Sequence, residues 1–365
     1  MKQSRVRAAI DEQLLLVYLL LLISGLIMIY SASSIIAESR FGSHWFFFRQ
    51  QMIWSVLSVV CIWVLSRLDL HRWAIYSAPG LLLTLLMLSL VFLMPARNQS
   101  HRWLFLGPLT IQPSELFRFL MVFYLAFSLS NAKRNLADLR QLLFPYLPII
   151  GLGLGLILIE PDLGTTAAIF ITIVGMFFMG GARIKHLAVG LLPPIGIGAA
   201  VVFGLGYKRQ RIMDYLASVL DPLQGSYQVK QAALTFGSGG LLGTGLGDGR
   251  QKLFFLPYPH TDFIMATVGE ELGFLGLMVI VGLLFYLLWR GFKIALDQPD
   301  KFGFLLGAGM TWSLFVSIAI NVGVVTSILP VTGLAMPFFS YGGSSLLMSS
   351  AAVGVLINLS RRVKS

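Results

Sequence analysis

Long apolar runs recur along this chain, each closed off by a cluster of charges or of Pro and Gly, and that alternation leaves few folds open. The runs lie at about 14–36, 45–65, 74–94, 114–130, 145–159, 164–181, 186–206, 264–289, 302–328 and 338–359. A helix needs about 20 apolar residues to cross a bilayer. Runs of this length and number predict an all-α, polytopic integral membrane protein with about ten transmembrane helices. The fifth and sixth runs are short, and Glu160-Pro161-Asp162-Leu163-Gly164 forms a tight turn between them. Composition agrees: 56% of the 365 residues are apolar and 12% are charged, where a soluble domain carries about 25% charged residues.

The charges are sided. Short loops on one side hold Lys2, Arg5, Arg7; Arg67, Arg72; Lys133, Arg134, Arg140; Arg183, Lys185; Arg290, Lys293, Lys301; and Arg361, Arg362, Lys364. Those on the other side hold Arg40, Arg49, Arg97 and Arg102. The positive-inside rule makes the first set cytoplasmic. Both termini are then inside, as an even number of spans requires. Met1-Lys2-Gln3-Ser4-Arg5 has the charge of a signal-peptide start, but the apolar run behind it is too long and further spans follow, so it reads as a retained first helix.

One connection is much longer than the rest. Residues 207–263 form a large extracytoplasmic loop between the seventh and eighth helices, and loops of that length are commonly functional. Seven glycines from Gly237 to Gly249 stand among Lys208, Arg209, Arg211, Lys230, Arg250 and Lys252, with Asp214, Asp221, Asp248 and Asp262 opposing them. Aromatics and leucines mixed into it predict a partly ordered segment lying along the membrane face.

Several function classes fall away. Cys61 is the single cysteine, so no internal disulfide forms. The five histidines are scattered, without the spacing of a metal site. There is no Walker loop, and Gly151, Gly153 and Gly155 alternate inside an apolar run, where close helix packing accounts for them. The net charge of +11 is first a topology signal and second a sign of an anionic ligand; nothing points to nucleic acid.

Ionisable groups near membrane spans suggest function. Asp262 closes the segment Leu256-Pro257-Tyr258-Pro259-His260-Thr261-Asp262 at the start of the eighth span. Thr261 or Asp262 there can cap the helix, and a carboxylate at that place can equally act as a general base. Glu270 and Glu271 lie roughly 12–14 Å further along the axis, and pairing with an arginine of another helix is the expectation for them. Gln112-Pro113-Ser114-Glu115 opens the fourth span; Glu115 and Arg118 are three residues apart and can pair on one face. Glu160 and Asp162 can hold the turn or bind a cation. No resident cofactor is implied, and a divalent cation at such paired carboxylates stays open. Lys208-Arg209-Gln210-Arg211 is either a headgroup anchor or a phosphate site, which arginine's fork suits. Uncharged Gly, Ser and Pro backbone around Asn321-Val322-Gly323, Ile328-Leu329-Pro330-Val331-Thr332-Gly333 and Ser340-Tyr341-Gly342-Gly343-Ser344 must be buried in protein or line a cavity.

These motifs resemble those of the shape, elongation, division and sporulation (SEDS) family, the FtsW/RodA/SpoVE group. The resemblance runs from about Ser31 to Ser345. It rests on Gln112-Pro113-Ser114-Glu115, Pro161-Asp162-Leu163-Gly164, Arg209-Gln210-Arg211, Asp221-Pro222 with Gly225, Tyr227 and Gln228, Gly237-Ser238-Gly239-Gly240, His260-Thr261-Asp262-Phe263, Glu270-Glu271-Leu272-Gly273 and Ser340-Tyr341-Gly342-Gly343-Ser344. Gln251-Lys252-Leu253 and Pro259-His260-Thr261-Asp262-Phe263 are closer to division-type than to elongation-type members.

The resemblance implies one SEDS-type membrane domain over 1–365 in the bacterial cytoplasmic (inner) membrane, polymerising lipid II, an undecaprenyl-pyrophosphate-linked disaccharide peptide, into glycan strands. It implies Asp262 as the catalytic residue and a class B penicillin-binding protein, a transpeptidase, as partner, within a division or elongation complex. Arg209, Arg211 and Lys252 are expected on the lipid pyrophosphates, with Glu115, Arg118, Arg49, Arg102, His260 and Ser340 as further substrate-binding candidates. Glu160, Asp162, Glu270 and Glu271 are expected to be structural. Two rivals remain at this stage: a lipid II flippase, and a non-enzymatic scaffold for the transpeptidase.

Overall fold

The computed structural model describes residues 10–95, 101–107, 109–131, 146–199, 209–220, 225–251 and 255–361. Each apolar run contains a helix: α1 (Glu12–Phe41), α2 (Phe46–Leu65), a short α3 (Leu70–Ala74), α4 (Ser77–Val91), α5 (Pro113–Leu129), α6 (Leu147–Ile159), α7 (Leu163–Gly180), α8 (Ile184–Ala199), α11 (Ile264–Leu296), α12 (Lys301–Val325) and α13 (Gly343–Ser360). Between α8 and α11 come α9 (Arg209–Leu220) and α10 (Tyr227–Gly239). Helices α1, α2, α7, α11, α12 and α13 are long and apolar enough to cross a membrane; α4 and α6 are shorter apolar helices. One departure from an all-helical chain is a small antiparallel hairpin, β1 (Leu104–Leu106) with β2 (Leu109–Ile111), pairing Leu104 with Ile111.

Burial sets the layers. The most apolar stretches of α12 and α13 are 72% buried, against 28% for α2 and α11, so α12 and α13 form the centre. Helix α12 packs against α5, α7, α11 and α13, and α13 lies along α2. Small residues allow the close approaches. A Cβ on Gly354 would stand 3.0 Å from the Ile62 Cα, and one on Gly153 would overlap the Phe117 ring, whereas Gly155 faces open space. Of the three alternating glycines, packing thus accounts for Gly153.

The two ends of the bundle differ in character. At one end Arg290 pairs with Asp11 at 2.7 Å, the Asp11 N–H donates to Ser360 Oγ, His71 meets Asp300 at 3.2 Å, and Asn358 donates to the carbonyls of Leu65 and Leu68. The start of α1 and the end of α13 therefore share a face, the one carrying the basic loops. At the other end stand the hairpin, the 160–164 turn, the 255–263 segment and the loop between α12 and α13.

Helix α11 is broken at Gly273, whose φ of 68° is open to glycine. Backbone from the glycine-rich segment fills the break. Gly240 and Leu241 carbonyls accept from Phe274 and Leu275 N–H, while Thr244 and Gly245 N–H donate to the Glu270 and Glu271 carbonyls. Four backbone groups at the kink are thus paired with the glycine-rich segment, the kind of pairing a buried break demands. At Gly243 (φ 83°) a Cβ would stand 2.2 Å from the Glu271 carbonyl oxygen.

Candidate functional site

Asp262 sits one residue before the N-cap of α11. Phe263 occupies the N-cap, and no side chain makes a cap hydrogen bond. The capping expectation for Thr261 and Asp262 is therefore corrected: the helix begins beyond them, and Thr261 Oγ1 donates to the Tyr258 carbonyl instead. Tyr258, at φ 54°, turns the chain so that His260, Thr261 and Asp262 run along the loop between α12 and α13. Three consecutive carbonyls are held there. Tyr341 N–H donates to that of His260 at 2.8 Å, Ser340 Oγ to that of Thr261 at 2.7 Å, and Asn321 Nδ2 to that of Asp262 at 3.0 Å.

The same loop reaches the 160–164 turn. A Cβ on Gly333 would lie 3.5 Å from Asp262 Oδ2, and one on Gly164 would lie 2.7 Å from Thr332 Cβ. Residues 332 and 333 thus bridge Asp262 and the N-terminus of α7. Asp162 caps that helix, accepting from Thr165 N–H at 3.1 Å and from Thr165 Oγ1 at 2.9 Å. Arg102 clamps the turn: Nε donates to the Glu160 carbonyl, Nη2 to the Pro161 carbonyl, and Nη1 stands 3.6 Å from Asp162 Oδ2. Gln112 Nε2 reaches the same carboxylate, and its N–H donates to Ser344 Oγ at the start of α13.

Glu160 is fully buried, and neither carboxyl oxygen has a hydrogen-bond partner among the described residues. Burial pushes its pKa up to about 8, with the Asp162 charge acting in the same direction and Arg102 opposing. Between about 4.5 and 8 the folded protein keeps a proton that the unfolded chain has lost, so stability falls as pH rises through that window. Thermal midpoints in detergent from ~pH 5 to ~pH 8.5 should show this decline, and Glu160→Gln should flatten it and raise the midpoint at the alkaline end. Superimposable profiles for the two proteins would refute a proton held at Glu160.

His260 is buried against Phe47 at 4.6 Å and Tyr341 at 5.8 Å between ring centroids. Burial pushes the imidazole down to about 4, and the Arg40 guanidinium adds to the shift, so the ring is neutral at pH 7. Ser340 Oγ donates to Thr261 and accepts from Met336 N–H at 2.7 Å, which binds the hydroxyl into the loop. Glu115 and Arg118 face each other at 2.6 Å, and Arg118 also donates to Ser317 Oγ. Arg49 is exposed on α2. Arg209 and Arg211 head α9, and Lys252 lies outside the described residues.

For Glu270 the arginine expectation is corrected. Oε1 accepts from the backbone N–H groups of Arg250 and Gln251, at 2.7 and 3.1 Å. Glu271 accepts from Ser31 Oγ and from Gly247 N–H. Both glutamates fasten the glycine-rich segment onto α11. Among the described residues no three His, Cys, Asp or Glu side chains gather as a metal-holding group. The sequence marked the segments holding Asn321 and Thr332 as buried or cavity-lining backbone but gave those side chains no role, and it passed over Gln51. A buried asparagine in an apolar run was the available signal for the first; Gln51 meets the Ser340 carbonyl and Gly342 N–H.

The fold and this site define a multi-pass membrane protein with a polar centre built from backbone-held loops at one end of the bundle. The profile of the FtsW/RodA/SpoVE family, described as cell cycle protein, matches residues 11–365. The chain belongs to that family. It is 40% identical over 356 residues to stage V sporulation protein E of Bacillus subtilis, covering 96% of this chain and 97% of that one. To the probable peptidoglycan glycosyltransferase FtsW of Geobacter metallireducens it is 37% identical over 357 residues, covering 97% and 95%. A chain solved in a study of how a peptidoglycan synthase complex coordinates polymerization and crosslinking superposes with a TM-score of 0.79 at 28% identity, covering 97% and 98%.

Proposed function

We infer that this chain is a peptidoglycan glycosyltransferase that polymerises lipid II at the outer face of the bacterial cytoplasmic membrane, with Asp262 as general base. The observation that supports the assignment of the base is the arrangement of donors on the 260–262 carbonyls, which holds the backbone carrying the Asp262 carboxylate just before α11. The full-length similarity to FtsW-type glycosyltransferases supports the reaction class. The growing glycan on its pyrophosphate is the donor, and a sugar hydroxyl of lipid II is the acceptor. Asp262 takes the hydroxyl proton as the oxygen attacks the anomeric carbon and the pyrophosphate leaves with the bond electrons. One displacement inverts an α-linked donor into a β bond, so one base suffices.

Arg209, Arg211 and Lys252 offset the charge of the leaving pyrophosphate, where a water-poor site makes such contacts strong. Arg49 stands exposed on the same end of the bundle and assists them. Arg102 acts through the 160–162 turn, holding Asp162 in place. The chain works in a division or elongation complex, with a class B penicillin-binding protein as its transpeptidase partner. The structural similarity to a complex that couples polymerization with crosslinking supports that pairing. The loop over 207–263 lies outside the membrane, opposite the basic loops.

The deciding experiment is polymerisation of labelled lipid II by the purified protein with its partner, with moenomycin present to silence contaminating glycosyltransferases. Glycan strands are the expected product. Lipid II moved between leaflets without polymer would replace this reading with a flippase.

A further inference from the structure

We propose that Asn321 is a positioning residue for Asp262, an inference that rests on Asp262 being the general base. Asn321 lies in the last turns of α12 and is 1% exposed. Its Nδ2 donates to the Asp262 carbonyl at 3.0 Å and to the Leu334 carbonyl at 2.8 Å. An amide nitrogen carries two hydrogens, and each has one of these acceptors. The partners fix the orientation of the side chain, because a flip would set Oδ1 against two carbonyl oxygens.

The two carbonyls belong to different walls of the site. One is on the backbone that carries the Asp262 carboxylate. The other follows Gly333, whose backbone faces that carboxylate: a Cβ there would be 3.5 Å from Oδ2, and φ is 80°. A single buried amide therefore sets the distance between the base and the wall opposite it. Of the three donors on the 260–262 carbonyls, Asn321 alone sits on a helix; Ser340 and Tyr341 belong to the loop between α12 and α13. Helix α12 is packed on several sides, so Asn321 ties the base to the buried centre of the bundle. Catalytic groups work when supporting hydrogen bonds hold them to within about half an ångström. A misplacement of about 1 Å can cost on the order of 10²-fold in rate.

Asn321→Asp keeps the shape of the side chain but leaves at most one donor, the O–H of a protonated carboxyl, for two carbonyls. In the lipid II assay, kcat per folded protein should fall tenfold or more while KM stays within about twofold. Asn321→Gln, which keeps the amide on a longer arm, should recover part of the loss. Thermal unfolding in detergent gives the folded fraction against which kcat is normalised. If Asn321→Asp does not fold, Asn321→Ser, which reaches one carbonyl at most, is expected to show the same drop in kcat at constant KM. An unchanged kcat per folded protein in the folded variant would overturn the proposal, and so would a raised KM at constant kcat, which marks substrate contact. A parental protein that makes no polymer overturns the functional reading itself, whereas an active parent with a full-rate variant overturns the positioning role alone.

Discussion

Asp262→Asn is expected to leave a folded, membrane-inserted protein that polymerises almost no lipid II. A positioned general base contributes roughly 10²–10⁴ in rate, and the amide keeps the size of the carboxylate while being unable to take the proton. The backbone around it should survive, because the donors on the 260–262 carbonyls come from Tyr341, Ser340 and Asn321 and do not involve the substituted side chain. Capping is no confounding role, since α11 starts beyond Asp262 with Phe263 at its N-cap. Asp262→Glu should also retain little activity: the extra methylene displaces the base by about an ångström toward the wall at Gly333, and such displacement can cost about 10²-fold. The measurement is the initial rate of polymer formation at saturating lipid II, with thermal unfolding as the control for folding. A near-parental rate in Asp262→Asn would remove Asp262 from the chemistry.

The bundle was legible in the sequence because lipid admits so few solutions. A chain that must satisfy every backbone group within the bilayer forms helices or a closed barrel, and apolar runs of helical length leave the first. Charge asymmetry then paired the loops, and Asp11, Arg290, His71 and Asp300 do share one end. The glycine-rich segment was visible as a set of tight turns, yet its destination was hidden. Nothing in Glu270-Glu271-Leu272-Gly273 announces that the helix breaks at Gly273, because an interior glycine is also tolerated in unbroken helices. Nor does sequence name backbone N–H groups as partners for Glu270. Asp262 stood out by its place between a polar loop and an apolar run, whereas the donors that hold it come from distant segments. Arg102 likewise shows charge in sequence, and only the fold brings it to the carbonyls of Glu160 and Pro161.

Losing Arg118 should cost much stability, and the outcome separates a structural role from substrate binding. Its guanidinium and the Glu115 carboxylate are about 5% exposed and 2.6 Å apart, and the remaining reach of Arg118 goes to Ser317 on α12. The pair thus fastens α5 to the central helix from within. Removing one member of a buried pair strands the other charge, which costs about 3–5 kcal/mol, while replacing both members by apolar groups is often close to neutral. Arg118→Met should therefore lower the thermal midpoint sharply and reduce the yield of folded protein. Combining it with Glu115→Leu should restore most of the midpoint, since no charge is then left unpaired. Total polymerisation should follow the folded fraction in both, with the rate per folded protein close to parental. A lipid pyrophosphate ligand would behave otherwise: Arg118→Met would keep the parental midpoint, raise KM for lipid II, and gain nothing from the second substitution.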